Sequence, residues 1–353
     1  MSLDAGDTHR SKPRARRGGV RRDPTAATIS RVADAAGVSR ATVSRVMNGS
    51  TTVAPELAAR VRAAAEELNY EPSLLARSLS LGRTGSVSLI VPDLANPMFQ
   101  DILRGLSTAA GAEGHRLMVA ESNEDAETEK LLAIEARRRS DGLVLASSRI
   151  PEPQLRALHE RLAPLVLLNR DIPGTAVPSL SVDYHAGIRA IVAHLLGHGH
   201  RRLVYLAGPP ASTSNTDRLV TLRAESAGSP GFHLTELDCG STFEAGHAAA
   251  RAVLATGATA VVAFNDMVAF GALSGLHELG VSVPSQLSIT GFDDIPFARY
   301  TTPPLTTASI PKNELGRQAW DRLWALMSGA SPGYDARFQP RLLVRDTTGP
   351  VSE

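Results

Sequence analysis

The chain is 353 residues long, with 43% hydrophobic residues, a formal net charge of +1 and a single cysteine, Cys239. This length is too great for one ordinary domain, so we expect two or three, and the apolar content is sufficient to build a core. One cysteine excludes an intrachain disulfide and a thiolate cluster, which fits a reducing compartment. No apolar run is long enough to span a membrane, and the basic start lacks the apolar segment of a signal peptide. We therefore expect a cytoplasmic protein without a membrane partner.

The charge is distributed unevenly along the chain. Residues 1–83 contain 14 Arg or Lys against 8 Asp or Glu, whereas the remainder contains 23 against 28. Residues 10–22 carry seven of these cations and no acid. Residues 1–26 are therefore predicted to be a disordered basic arm, which either is a solvated tail or adds non-specific attraction to phosphates. A basic head and a mildly acidic body suit a protein whose head meets DNA and whose body does not.

Residues 27–71 predict a three-helix DNA-binding head. Apolar residues recur at helical spacing over residues 29–36, directly after a capping hydroxyl at Thr28. Gly37 supplies the sharp turn that a helix-turn-helix needs, and Pro55 suits the first turn of a third helix. These signals together predict a helix-turn-helix domain.

The second predicted helix begins after a capping Ser39 and ends near Met47, where Asn48 and Gly49 form a stop signal. Its outward side chains are polar or small: Arg40, Ala41, Thr42, Ser44 and Arg45. We expect Arg40, Ala41 and Arg45 to reach base edges in a major groove. The hydroxyl and amide groups are expected to contact the backbone of the DNA: Thr28, Ser39, Thr42 and Asn48. A bundle used only for packing would not need a second helix of this composition.

Residues 72–83 form a short segment between head and body. Pro72 suits the start of a helix, and the residues up to Leu79 have helical composition. Two turns are too few to be stable in isolation, so this helix should form only when something holds it. The alternative is a plain interdomain linker, which would be expected to be richer in Gly, Ser or Pro.

The body alternates between short apolar runs and helical patterns, which predicts parallel sheets with right-handed crossovers. The predicted strands are Val87–Val91, Leu117–Ala120, Leu143–Ala146, Leu165–Leu168, Leu203–Leu206, Val261–Phe264 and Ser288–Thr290. They fall into two sets, roughly residues 84–184 and 185–308, each resembling a doubly wound lobe. Ligands bind beyond the carboxyl ends of such strands, and polar side chains follow several of them, among them Asn96, Asn169 and Asp293.

The sequence offers little support for metal or cofactor chemistry. His194, His198 and His200 are spaced in a way that could suggest a metal site, but Gly197 and Gly199 should end the helix between them. A phosphate-binding loop and a nucleophile elbow are both missing. We therefore expect no metal, no cofactor and no catalytic residues.

Three segments carry a resemblance to a known family: ATISRVADAAGVSRATVSRVMNG, LNYEPSLLARSL and GFDDIPFARYTTPPLTT. Over about residues 27–347 the chain resembles the lactose-repressor type (LacI/GalR) of bacterial transcription regulators. The resemblance implies an all-α helix-turn-helix head, a hinge helix, and a two-lobed α/β body like periplasmic sugar-binding proteins. The implied domains are 27–71, 72–83 and 84–347, with lobe 1 at about 84–184 and 311–338, lobe 2 at about 185–310 and 339–347, and a tail at 348–353. It also implies a homodimer on a palindromic double-stranded operator.

The resemblance also implies site residues. Leu79 takes the place of a leucine that wedges between base pairs in the minor groove, with Arg77 near the backbone. The implied effector-binding residues are Asn96, Phe99, Asn169, Arg218, Asn265 and Asp293. One cation and one carboxylate with amides between them suit a neutral polyol or heterocycle, and a carbohydrate is expected. The chain departs from the family pattern in RLVTLRAE after the cleft arginine, and in Ser241 or Thr242 where an aromatic residue often lines the cleft.

The predicted function is a transcription regulator, expected to be a repressor, whose operator affinity is switched by a small sugar, polyol or nucleobase-like effector. The alternatives are a sugar-binding protein or an enzyme on the same two-lobed body. The sequence leaves open whether the effector is an inducer or a corepressor, and whether the assembly is a dimer or a tetramer.

Overall fold

The computed structural model describes residues 27–49, 52–71 and 82–351. The chain divides into two compact units, one ending at Gly82 and the other beginning at Arg83. The first is the head and the second is the body. The predicted hinge residues Arg77 and Leu79 and the basic arm over 1–26 lie outside the described residues.

Three helices form the head: α1 (Ile29–Ala36), α2 (Arg40–Met47) and α3 (Pro55–Glu67). Val32, Val43 and Val61, one from each helix, are fully buried and meet in its core. Gly37 ends α1 at a φ of 63°, a left-handed conformation that suits a residue without a Cβ. The predicted helix-turn-helix fold is confirmed.

The body contains two six-stranded sheets. Lobe 1 has the order β11-β5-β4-β3-β1-β2 and is parallel throughout. Its strands are β1 (Ser86–Val91), β2 (Arg116–Glu121), β3 (Gly142–Ala146), β4 (Leu165–Leu168), β5 (Ser179–Val182) and β11 (Ala336–Phe338). Lobe 2 has the order β12-β10-β9-β8-β6-β7, in which only β12 is antiparallel to its neighbour. Its strands are β6 (Arg202–Ala207), β7 (His233–Asp238), β8 (Ala260–Ala263), β9 (Ser288–Asp293), β10 (Thr306–Ser309) and β12 (Arg341–Leu343).

Helices cover the sheets of both lobes. They are α4 (Pro97–Ala112), α5 (Ala126–Arg139), α6 (Glu152–Leu162), α7 (Tyr184–Gly197), α8 (Thr213–Gly228), α9 (Phe243–Ala255), α10 (Asp266–Glu278) and α11 (Lys312–Met327), with a 3-10 turn at Pro296–Arg299. Between residues 82 and 351 the chain passes from one lobe to the other three times, after β5, β10 and β11. Helix α11 therefore returns to lobe 1, where it packs against α4 and the inner strands β3 and β4. No helix of the described ranges is long and apolar enough to cross a membrane.

Candidate functional site

The second helix of the head exposes the side chains that the sequence predicts for base contact. Arg40, Ala41 and Arg45 are solvent-exposed, while Val43 and Val46 of the same helix are buried. This division follows from the helical repeat, because the apolar residues must face α1 and α3. The exposed surface is therefore polar and cationic, with two arginines five residues apart.

The residues predicted for phosphate contact lie at helix ends. The Thr28 hydroxyl accepts a hydrogen bond from the Arg31 amide at 3.4 Å, and the Ser39 hydroxyl accepts one from the Thr42 amide at 3.1 Å. Asn48 closes α2, where its Nδ2 donates to the Ser44 hydroxyl at 3.4 Å. These contacts confirm the predicted caps, and each N-terminal cap leaves the positive end of a helix dipole at the surface.

Sequence reasoning missed Arg60, which fixes the turn between α1 and α2. Its Nη2 donates to the carbonyl oxygen of Ala36 at 2.6 Å, although Arg60 lies on α3. The bond satisfies one of the free carbonyls at the end of α1. The helical spacing of α3 places Arg60 outside its apolar stripe, so this contact could not be predicted from the apolar pattern.

Five of the six predicted effector residues line one cavity between the lobes of the body: Asn96, Phe99, Arg218, Asn265 and Asp293. They arrive from both sheets, because Asn96 follows β1 and Asn265 and Asp293 lie at the ends of β8 and β9. Arg218 comes from α8. The cavity volume is about 20 Å³, room for a single water. The lobes are therefore closed on one another in this arrangement.

Asn169, the sixth residue, lies elsewhere. Its Nδ2 donates to the Ser147 hydroxyl at 3.4 Å and its Oδ1 accepts from the Val182 amide at 3.3 Å. It lines a neighbouring cavity of about 260 Å³ instead. The side chain thus links the ends of three strands of lobe 1.

Arg218 is held by aromatic rings. Its side chain is 2% exposed, and Cζ lies 4.5 Å from the ring centroid of Tyr184, 4.6 Å from that of Phe264 and 4.2 Å from that of Phe292. Ring faces attract a guanidinium but accept no conventional hydrogen bond. Accordingly Nε and Nη1 are buried without a hydrogen-bond partner. Buried donors of this kind are costly unless something pairs them.

Asp293 is the acidic counterpart in the cavity. It is 4% exposed, and burial raises the pKa of its carboxyl to about 6, with the charges of Arg218 and Lys312 opposing that shift. Its backbone has a φ of 111° and that of Asp294 a φ of 55°, both in the region that disfavours side chains. The carboxylate thus lies buried, on a strained stretch of backbone at the end of β9.

The two asparagines of the cavity also cap helices. Asn96 Oδ1 accepts from the Met98 amide and Asn265 Oδ1 from the Val268 amide, both at 2.9 Å. Asn265 Nδ2 donates to the carbonyl oxygen of Ser241 at 2.9 Å. Both asparagines therefore cap a helix and line the cavity.

An ion pair in the cavity wall, between a buried arginine and a half-buried glutamate, was not predicted. Arg149 Nε and Nη2 donate to Glu124 at 2.5 and 3.0 Å, and Nη1 donates to the carbonyl oxygen of Ser147 at 2.6 Å. Glu124 follows β2 and Arg149 follows β3. Both residues follow strands, as Asn96 does, so their place at the edge of the sheet could be predicted from the sequence.

Two of the three histidines near residue 200 bond hydroxyl groups in the structure. His200 is buried and bonds the Thr259 hydroxyl at 3.0 Å and the Ser288 hydroxyl at 3.1 Å. His194 bonds the Thr348 hydroxyl at 2.9 Å. These contacts attach the last described residues of the chain to lobe 2.

Comparison with known proteins identifies both parts of the chain. Residues 28–73 match the bacterial regulatory proteins of the lacI family, and residues 192–348 match a periplasmic binding protein-like domain. The HTH-type transcriptional repressor CytR of Escherichia coli is 32% identical over 93% of this chain and 98% of its own length. The crystal structure of the lac repressor dimer bound to operator and the anti-inducer ONPF has a TM-score of 0.81 at 27% identity, covering 92% of this chain and 99% of that one. A LacI family regulator of Enterococcus faecium with bound ribose has a TM-score of 0.67 at 26% identity, covering 76% and 100%.

Proposed function

The chain belongs to the LacI family of bacterial transcription regulators, and we propose that a small polar effector bound between its lobes switches its affinity for operator DNA. The observation that carries this proposal is the pair formed by Arg218 and Asp293. One offers two buried nitrogens without partners and the other a buried carboxyl, and both line the same cavity.

The chemistry of the pair defines the effector class. An effector that presents hydroxyls or ring nitrogens can accept from Arg218 and donate to Asp293 at once. Phe99 adds an apolar surface for one face of a ring. A neutral sugar, polyol or nucleobase-like compound satisfies all three groups, and the ribose held by the Enterococcus faecium regulator belongs to this class.

The size of the cavity indicates how such an effector would act. A volume of about 20 Å³ is far below that of a sugar site, so an effector requires the lobes to separate. A compound that prefers the separated arrangement shifts the equilibrium between arrangements by its differential affinity. Two heads on a palindromic operator need a fixed spacing, which a homodimer like the lac repressor dimer would provide.

On the DNA side, the proposal assigns base readout to Arg40, Ala41 and Arg45 and phosphate contacts to Thr28, Ser39, Thr42 and Asn48. Arg77 and Leu79 would complete the contact in the minor groove. The body would serve as a sensor rather than as an enzyme, as befits a relative of named transcriptional regulators.

A thermal-shift panel on the full chain tests the proposal, using D-ribose, other pentoses and hexoses, polyols, nucleosides and nucleobases. A ligand at a hundred times its Kd stabilises the native state by about 2.7 kcal/mol, which raises the melting temperature by roughly 5 °C. Arg218→Met keeps the apolar stem and should abolish the shift, whereas Arg223→Met, on the exposed face of the same helix, should retain it. A compound that shifts the wild type and Arg218→Met equally would refute the cleft assignment.

A further inference from the structure

Lys312, the first residue of α11, is a buried cation that the proposed effector contacts do not use. It is 8% exposed, and its Nζ donates to the carbonyl oxygens of Asp293 at 2.6 Å and Asp294 at 2.8 Å. Hydrogen bonds from an ammonium group are about twice as strong as those between neutral groups. A single side chain therefore holds two consecutive peptides at the end of β9.

The turn that Lys312 holds is strained. Asp293 and Asp294 have φ values of 111° and 55°, and such residues persist only where their surroundings fix them. The other constraints on Asp294 come from lobe 2 itself. Its carboxylate pairs with Arg345 at 2.6 Å and accepts from the Ser309 hydroxyl at 3.0 Å.

Lys312 differs from these partners because it belongs to a helix of lobe 1. The contact between α11 and α4 has no spare room. A Cβ on Gly105 would lie 2.0 Å from the carbonyl oxygen of Asn313, and one on Gly316 would lie 2.0 Å from that of Ile102. The two helices must therefore move together, and the first turn of α4 carries Phe99 into the cleft.

We propose that Lys312 is a positioning residue that ties the turn bearing the cleft carboxylate Asp293, in lobe 2, to the α11–α4 pair of lobe 1. The orientation of the Asp293 carboxylate then depends on the arrangement of the lobes. Separation of the lobes pulls Nζ away from the carbonyls and releases the turn. In the opposite direction, a ligand that reorients Asp293 acts on lobe 1 through Lys312.

The role of Asp293 in this inference rests on the proposed function, but the tie itself is testable without any ligand. Spin labels at Ala157→Cys in lobe 1 and Ala227→Cys in lobe 2, both exposed, report the distance between the lobes in a Cys239→Ser background. Excess unlabelled chain ensures that each assembly carries at most one labelled copy. Pulsed electron resonance on the ligand-free full chain then compares Lys312→Met, Lys312→Arg and Arg345→Met.

The expected result is specific to the cation that crosses between lobes. Loss of its charge-assisted bonds should lower the population of the closed arrangement by about tenfold or more in Lys312→Met. Lys312→Arg, which can still donate to both carbonyls, should restore most of that population. Arg345→Met removes a charged contact from the same turn but within lobe 2, so it should keep the parental distance.

Two results would overturn the inference. Lys312→Met could keep the parental distance distribution, or Arg345→Met could broaden it as much as Lys312→Met does, which would indicate general loosening of the turn. Lys312→Gln provides a second neutral variant if the methionine variant does not fold. Because no effector is present, a thermal-shift panel in which nothing binds would refute the proposed function and leave this outcome unchanged.

Discussion

Asp293→Asn is expected to stabilise the body at neutral pH while removing its response to effector. The carboxyl is buried beside apolar rings, and its pKa of about 6 compares with an ordinary value of 3.8. That difference corresponds to about 3 kcal/mol of unfavourable free energy for holding the charge in the folded state. An amide carries no charge, although its N–H groups need partners, so we expect a net stabilisation of about 1–3 kcal/mol at pH 7.

The pH dependence follows from the direction of the shift. A group whose folded pKa is raised keeps its stability below its unfolded pKa and loses it as pH rises to the folded value. The free energy of unfolding of Asp293→Asn minus that of wild type should therefore not change with pH below about pH 4. This gap should widen between pH 4 and about pH 6 and then stay constant. The fully buried Asp266 adds to this trend, because the charge of Asp293 is one of the causes that raise its pKa.

Urea unfolding between pH 4.5 and 8 measures this gap, followed by the fluorescence of Trp320 and Trp324, the two tryptophans of the chain, both on α11. Asp238→Asn is the matched control, because Asp238 also ends a strand of lobe 2 but is exposed. Its effect should stay within about 0.5 kcal/mol. An Asp293→Asn chain that is less stable than wild type at pH 7, or a gap that does not change with pH, would contradict an unfavourable buried charge at Asp293.

Three further predictions concern the head and the segment after it. Arg45→Ala should relax base preference at one symmetric operator position, by about 1–3 kcal/mol, and a binding selection that returns the wild-type consensus would contradict this. Leu79→Ala should weaken binding to DNA selected by the wild type but leave binding to random DNA nearly intact, because opening a base step is cheap only at the specific site; equal losses on both would exclude a wedge. Arg60→Met should destabilise the head by about 1–3 kcal/mol through loss of the bond to Ala36, as measured by amide hydrogen exchange, whereas Arg62→Met on the same helix should not.

The apolar runs located most of the sheets, and all seven predicted strands coincide with observed ones. The strands that were missed have a different composition. β5, β7 and β10 contain no two adjacent apolar residues, and β7 lies at the edge of its sheet with largely exposed side chains. β11 and β12 have three residues each, too few for any periodicity. Most strands with an apolar run were therefore predicted, including the edge strand β2, whereas interior strands without such a run, β5 and β10, were missed.

Some residues of the cleft could be predicted from the sequence and others could not, for a physical reason. Strand ends converge at one edge of a parallel sheet, so polar residues such as Asn96 and Asp293 could be placed there from the sequence. The rings around Arg218 come from α7, from the segment after β8 and from within β9, and each is preceded or surrounded by core residues. Local sequence does not distinguish an aromatic residue that packs in a core from one that faces a guanidinium. Asn169 also lies at a strand end, but that end borders the neighbouring cavity and not the one lined by Arg218.

The unfavourable features of the body are concentrated at the cleft. Two nitrogens of Arg218 have no partner, Asp293 is held with a raised pKa, and the turn at residues 293 and 294 is strained. Each feature lowers the stability of the closed, empty arrangement, and a bound effector can relieve the first two by pairing with them. Only a compound that enters the cleft can pair with these groups. Its binding therefore favours the lobe arrangement that admits it. A ligand can shift an equilibrium by no more than this difference in affinity. Because the closed cavity of about 20 Å³ admits no sugar, the free energy gained by pairing these groups would add to the preference of an effector for the separated arrangement.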